Sequence, residues 1–177
     1  MKEFNYNLDY KQINFRESIH LYRIGRGEQG VLLVEPYKSE ILPLWKFKNP
    51  VIALVSATFI WSSFKSYLAQ NDFVGADMSR KFLQMGWTRA RRYANYPSGR
   101  KYNATGIANP QALDALMSEK AKSAEIFKKF YEQAKSEVSY SNMYRLWRDW
   151  ETNCKNPCLE NIPVKPNWLI LNSEDKS

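Results

Sequence analysis

Arg80, Lys81, Arg91, Arg92, Arg100 and Lys101 recur along one predicted helix and the turn that follows it, and this spacing is the strongest chemical signal in the chain. Set out at roughly 100° per residue, Arg80, Lys81, Gln84, Trp87, Thr88, Arg91, Arg92 and Asn95 share one arc of a helix capped by Asn71 or Asp72. Met78, Phe82, Leu83, Met85, Ala90 and Tyr93 share the opposite arc. Guanidinium, ammonium, amide and hydroxyl donors on one face suit phosphate oxygens. Trp87 among them either stacks on a base or packs against a neighbouring element. Arg23 and Arg26 extend the set if the glycine-rich segment that carries them lies beside the helix. Arg89 falls inside the apolar arc, so it is expected to be buried and paired with Glu28, Glu35, Glu40 or Asp77.

Covalent and metal chemistry have thin support. His20 is the one histidine, and a histidine-based triad would depend on that single ring. Cys154 and Cys158 form one pair with no second pair and no nearby histidine, which argues against zinc. Glu35 and Lys38 lack the spacing of the common nuclease motif, and no P-loop or metalloprotease signature occurs. The sequence therefore nominates no catalytic residue, no metal ligand and no cofactor. Gly25-x-Gly27-x-x-Gly30 has the glycine spacing of a dinucleotide site, but VLLVEPY follows where that site needs a helix. The order also resembles a kinase phosphate-covering loop, without the H-R-D and D-F-G segments that a kinase requires. Two readings stay open: a structural turn, or a loop whose backbone approaches a phosphate. The second would make the chain a small phosphate- or nucleotide-binding enzyme with Glu28 or Glu35 as acid or base.

The elements that must hold these residues follow from punctuation and periodicity. LYRI and VLLVEPY on either side of the glycines read as a β-hairpin, and Phe4, Tyr6 and Leu8 alternate like an edge strand. Asn49-Pro50 is an N-cap followed by proline at the first helical position, predicting a helix to about Ala69. Pro97, Ser98 and Gly99 end the basic helix. Asn109-Pro110 repeats the cap-and-proline start, with Leu113, Met117, Ala121, Ala124, Phe127, Tyr131 and Ala134 at helical spacing. Tyr140, Met143, Trp147 and Trp150 mark one more short helix, and prolines 157, 163 and 166 predict an irregular tail. The expected architecture is α+β: a mostly helical single domain, residues 1–137, with a small antiparallel hairpin or sheet near the N-terminus. Residues 138–177 form a C-terminal extension with a short aromatic helix.

Composition sets the outer bounds. The 177 residues are 44% hydrophobic and 15% aromatic, enough for a real core, and the formal charge of +8 favours polyanionic partners. The charge-free run Val51–Phe64 is shorter than the roughly 18 residues of a membrane span, so a buried helix rather than a membrane segment is expected. The polar opening MKEFNYNLDYKQ has no apolar core and two cysteines make no disulfide scaffold, so a cytoplasmic setting is expected. The helix over 50–69 is apolar nearly all round, which predicts a homodimer or a cover supplied by the aromatic segment at 140–150. The leading functional reading is a non-enzymatic module that binds nucleic acid or another polyanion through the helix and turn at 80–101, and a protein–protein adaptor is the third class left open.

The segments YRIGRGEQGVLLVEPYKSEILPLW and DFVGADMSRKFLQMGWTRARRYANYPSGRKY resemble an uncharacterised family, a domain of unknown function associated with bacteria, archaea and tailed phages. The resemblance covers about Phe4–Tyr102 and, more loosely, SAEIFKKFYEQA. It implies no activity, fold or catalytic residue. It directs attention to the glycine segment and the basic helix.

Overall fold

Residues 4–174 are described by the computed structural model, and they carry α1 (Tyr37–Ile41), α2 (Pro50–Ala69), α3 (Phe73–Asn95), α4 (Glu119–Ser136), α5 (Val138–Asn153) and α6 (Asn167–Glu174). The starts obey capping chemistry. Asn49 accepts the Ile52 amide at 2.9 Å ahead of Pro50, Asp72 accepts Gly75 N–H at 3.0 Å, and Ser118 accepts Ala121 N–H at 3.2 Å. Three helices, α2, α3 and α4, pack on one another pairwise. The α3–α4 approach is close because Gly86 has no side chain: a Cβ there would lie 2.3 Å from the Phe127 ring. On the other side Trp147 of α5 is fully buried and stacks on Phe73 at 4.8 Å between ring centroids.

The antiparallel hairpin expected near the N-terminus does not form, and the chain is helical with no sheet among the described residues. The VLLV run folds as successive turns, with Leu33 and Val34 amides both bonded to the Gly30 carbonyl. Val31 and Val34 are buried while Leu32 is exposed, a three-residue spacing and not a strand alternation. The reason is competition for carbonyls. Gly25, Gln29 and Gly27 give theirs to Arg148, Lys81 and Arg80 side chains instead of to a partner strand. The lone β-bridge among the described residues, Tyr102 to Ala108, closes the Asn103–Ile107 turn.

Other boundaries moved as well. Phe4, Tyr6 and Leu8 form no strand: Tyr6 lies in a turn and Leu8 in a bend, with Phe4 buried and stacked on Tyr10. Asn109-Pro110 starts no helix: α4 begins at Glu119, and Leu113 and Met117 stand in solvent. The tail contains α6, anchored where Asn167 N–H donates to the Gln70 carbonyl at 2.9 Å. By length and composition α2 is the one helix among the described residues that could cross a membrane. Its Ala53, Ala57, Ile60 and Phe64 are fully buried in the protein core, whereas Val51, Leu54, Val55 and Phe59 are exposed.

Candidate functional site

The helix that carries the basic residues is divided into two halves of different character. From Phe73 to Leu83 every residue of α3 is buried, Arg80 and Lys81 included. Both cations serve Asp77, one turn earlier. Arg80 Nε donates to Asp77 Oδ1 at 2.9 Å, and Lys81 Nζ lies 3.6 Å from Oδ2. The Tyr140 hydroxyl donates to Oδ1 at 2.6 Å and the Tyr22 hydroxyl to Oδ2. Burial pushes the Asp77 carboxyl up, but Arg80, Lys81 and the two phenols outweigh it and hold it at about 2. Burial lowers the Lys81 ammonium to about 8 despite Asp77, with Arg80 adding to the fall. Asp72 goes the other way. Burial outweighs the bonds from Gly75 N–H and Tyr37, so its carboxyl rises to about 6, and its second oxygen has no partner.

The glycine segment is clamped over this cluster by side chains of α3 and α5. Arg80 reaches the Gly27 carbonyl at 3.3 Å, Lys81 the Gln29 carbonyl at 2.7 Å, and Arg148 the Gly25 carbonyl at 2.7 Å. Glu151 accepts Ile24 N–H at 2.7 Å and Glu28 accepts the Thr88 hydroxyl at 2.6 Å. Positive φ at Gly25, Gly27 and Gly30 permits this path. A phosphate cradle offers amide N–H groups; this loop turns three carbonyls toward cations. Its geometry is that of a structural clamp.

The second half of α3 reaches the surface. Trp87, Thr88, Arg91, Arg92, Asn95 and the turn residues Arg100, Lys101 and Tyr102 line a depression of about 660 Å³ with no carboxylate in its wall. A neighbouring depression of about 370 Å³ contains Arg26, Arg89 and Arg92, with Glu28 its single acidic residue. Arg92 belongs to both. Arg26, Arg89, Arg92, Arg100 and Lys101 form no ion pair among the described residues, whereas Arg91 is bonded to Glu125 at 2.7 Å. The buried ion pair expected for Arg89 is therefore not made; the side chain is half-buried at the rim. Arg23 turns away, donating to the His20 and Tyr22 carbonyls with its guanidinium over the Trp150 ring. Trp87 is half-buried against Tyr131, ring centroids 5.7 Å apart, with the Lys128 ammonium over its own ring at 5.9 Å. Tyr102 is the exposed ring of the depression.

A model of one protein family, DUF4385, described as a domain of unknown function, matches residues 5–150. The chain belongs to the DUF4385 family. No curated protein and no solved structure matches it. The DUF4385 match takes in the glycine segment with Arg80, Lys81 and Arg148, all of α3 and most of α5, so the Asp77 cluster and both depressions lie within it, and Glu151 falls just outside. Nothing in the family description assigns those features a role.

Tyr22 and Arg148 escaped the sequence reading, which named Asp77 only as a possible partner of Arg89 and Tyr140 only as a marker of the aromatic helix. One signal was present: Asp77 precedes Arg80 by three residues and Lys81 by four, the spacings at which helical side chains meet. The helical wheel placed Arg80 and Lys81 correctly beside one another and gave no warning that the glycine segment covers them. His20 is half-buried with no role in the cluster, and no group of three or more potential metal ligands occurs among the described residues.

Proposed function

We propose that this DUF4385 chain binds nucleic acid on the face made by the second half of α3 and the turn at 96–102. The observation that carries the reading is a run of cations without acidic partners, Arg26, Arg89, Arg92, Arg100 and Lys101, spread over two adjoining depressions that share Arg92. Exposed unpaired cations contribute most to binding by releasing counterions from a phosphate backbone. Asn95 adds a side-chain amide within the same wall, and the exposed Tyr102 ring offers a platform for a base. Contacts of this type fix a backbone and read little sequence. Arg80 and Lys81 have no direct part, because their charge is committed to Asp77 and the glycine clamp.

Reversal of Arg92, Arg100 and Lys101 to Glu tests this. All three side chains are exposed, so the fold should keep its melting temperature while binding to single-stranded and duplex oligonucleotides falls at least a hundredfold. Unchanged binding by the folded triple variant would remove the face from consideration.

A further inference from the structure

We propose that a second cavity, enclosed by the glycine clamp and by α3, α4 and α5, binds a small ring-bearing anion: an aromatic or heteroaromatic ring carrying a phosphate or carboxylate group. The cavity measures about 300 Å³ and is lined by Gly27, Arg80, Gln84, Tyr131, Lys135 and Tyr144 among others. It is separate from the nucleic-acid face, and neither reading depends on the other.

Charge identifies the ligand's sign. No carboxylate lines the cavity, while Arg80 stands in its wall and Lys135 beside Tyr131. Behind the wall the imbalance persists: Arg80, Lys81 and Arg148 face only Asp77 and Glu151. Lys81 is fully buried and Arg80 nearly so, so a surplus positive charge sits in a region of low dielectric. Such a charge is costly unless an anion lies near. The cavity opens beside it.

Shape and donors identify the rest. Tyr131 and Tyr144, from α4 and α5, bring aromatic carbon to the cavity wall and are backed by Trp87 and Tyr140, apolar surface that suits a ring. Gln84 spends its carbonyl on Arg80 at 2.8 Å, which leaves its amide N–H₂ as a donor. The Tyr144 hydroxyl accepts from Arg148 at 3.1 Å and keeps its own proton to give. Arg80 gives its N–H groups to Asp77, Gln84 and the Gly27 carbonyl, so it favours an anion through its charge alone and leaves the hydrogen bonds to Lys135, Gln84 and Tyr144.

The test is calorimetric titration of the full chain with uridine monophosphate and with 4-hydroxybenzoate, using uridine and phenol as their neutral counterparts. One anion should bind about tenfold or more tightly than its neutral counterpart, the size expected of one charge-assisted contact. Which anion does so separates a phosphate ester from a carboxylate. Lys135→Ala and Tyr144→Phe, which leave the core intact, should each weaken that binding at least threefold. The Arg92, Arg100 and Lys101 reversal should leave it unchanged. Absence of binding by both anions would overturn the proposal, as would affinity that survives the two pocket variants or follows the groove reversal.

Discussion

Lys81 shows how much a single buried charge can dictate. It cannot reach water, yet it donates to the Gln29 carbonyl at 2.7 Å and lies 3.6 Å from Asp77. Its ammonium titrates at about 8 in the fold, against 10.5 for the free group. Between those values the unfolded chain binds more protons, so stability rises with pH across that window. The urea midpoint should correspond to a gain on the order of 1–2 kcal/mol between pH 8 and pH 9.5. Lys81→Met should abolish the rise; a flat wild-type midpoint over that range would contradict the burial of the charged amine. The trend reverses near pH 10, because Tyr22, Tyr37 and Tyr140 are raised above 10.0 by burial first and by Asp77 or Asp72 next. At the acid end the two aspartates oppose each other. The Asp77 contribution is lost as pH falls from 3.8 toward 2, and that of Asp72 is present below 3.8 and lost as pH rises through about 6. Arg92, Arg100, Lys101 and Arg26 were legible as exposed cations from sequence because nothing local competes for them. Arg80 and Lys81 were misread because an angle on a helical wheel does not say what packs there.

Helix α3 is the element on which both depressions and the cavity depend, and its distance from α4 is set at Gly86. Replacement by Ala gains about 1 kcal/mol in helix propensity but places a methyl 2.3 Å from the Phe127 ring. Phe127 is fully buried and cannot swing aside, so Gly86→Ala should lower stability by about 1–3 kcal/mol, measured by chemical denaturation. A stabilised variant would show that the helices part freely. The starts of α2 and α3 could be read directly, because Asn49-Pro50 and Asp72 act on their own next turn. The false hairpin was a different case. Its carbonyls are taken by Arg80, by Lys81 and by Arg148, the last 123 residues further along the chain. No local pattern carries that information. The start of α4 was misplaced for the converse reason: Asn109-Pro110 has helix-start chemistry, but Leu113, Leu116 and Met117 find no core to bury against.

Across the whole molecule, polar and apolar features are unevenly placed. The aromatic segment of α5 covers Phe64 and Phe73 through Tyr140 and Trp147, and it leaves Val51, Leu54, Val55 and Phe59 of α2 exposed. A contiguous apolar stripe of this kind is expected to join two copies about a two-fold axis. Sedimentation should show a dimer for the native chain and a monomer for Phe59→Asp; a native monomer at all concentrations would dismiss that association. The unpaired cations, by contrast, gather around Arg92, and their number sets a quantitative expectation. If Arg26, Arg89, Arg92, Arg100 and Lys101 neutralise phosphates, the logarithm of the association constant for a single-stranded oligonucleotide should fall against the logarithm of salt concentration with a slope of about −3.5, and for a duplex about −4.5. Titration over a range of salt concentrations measures this directly. A slope near those values, made shallower by about 0.7 on the single strand for each cation removed, is the expected result; a slope near zero, or no binding at low salt, would contradict a phosphate-binding face.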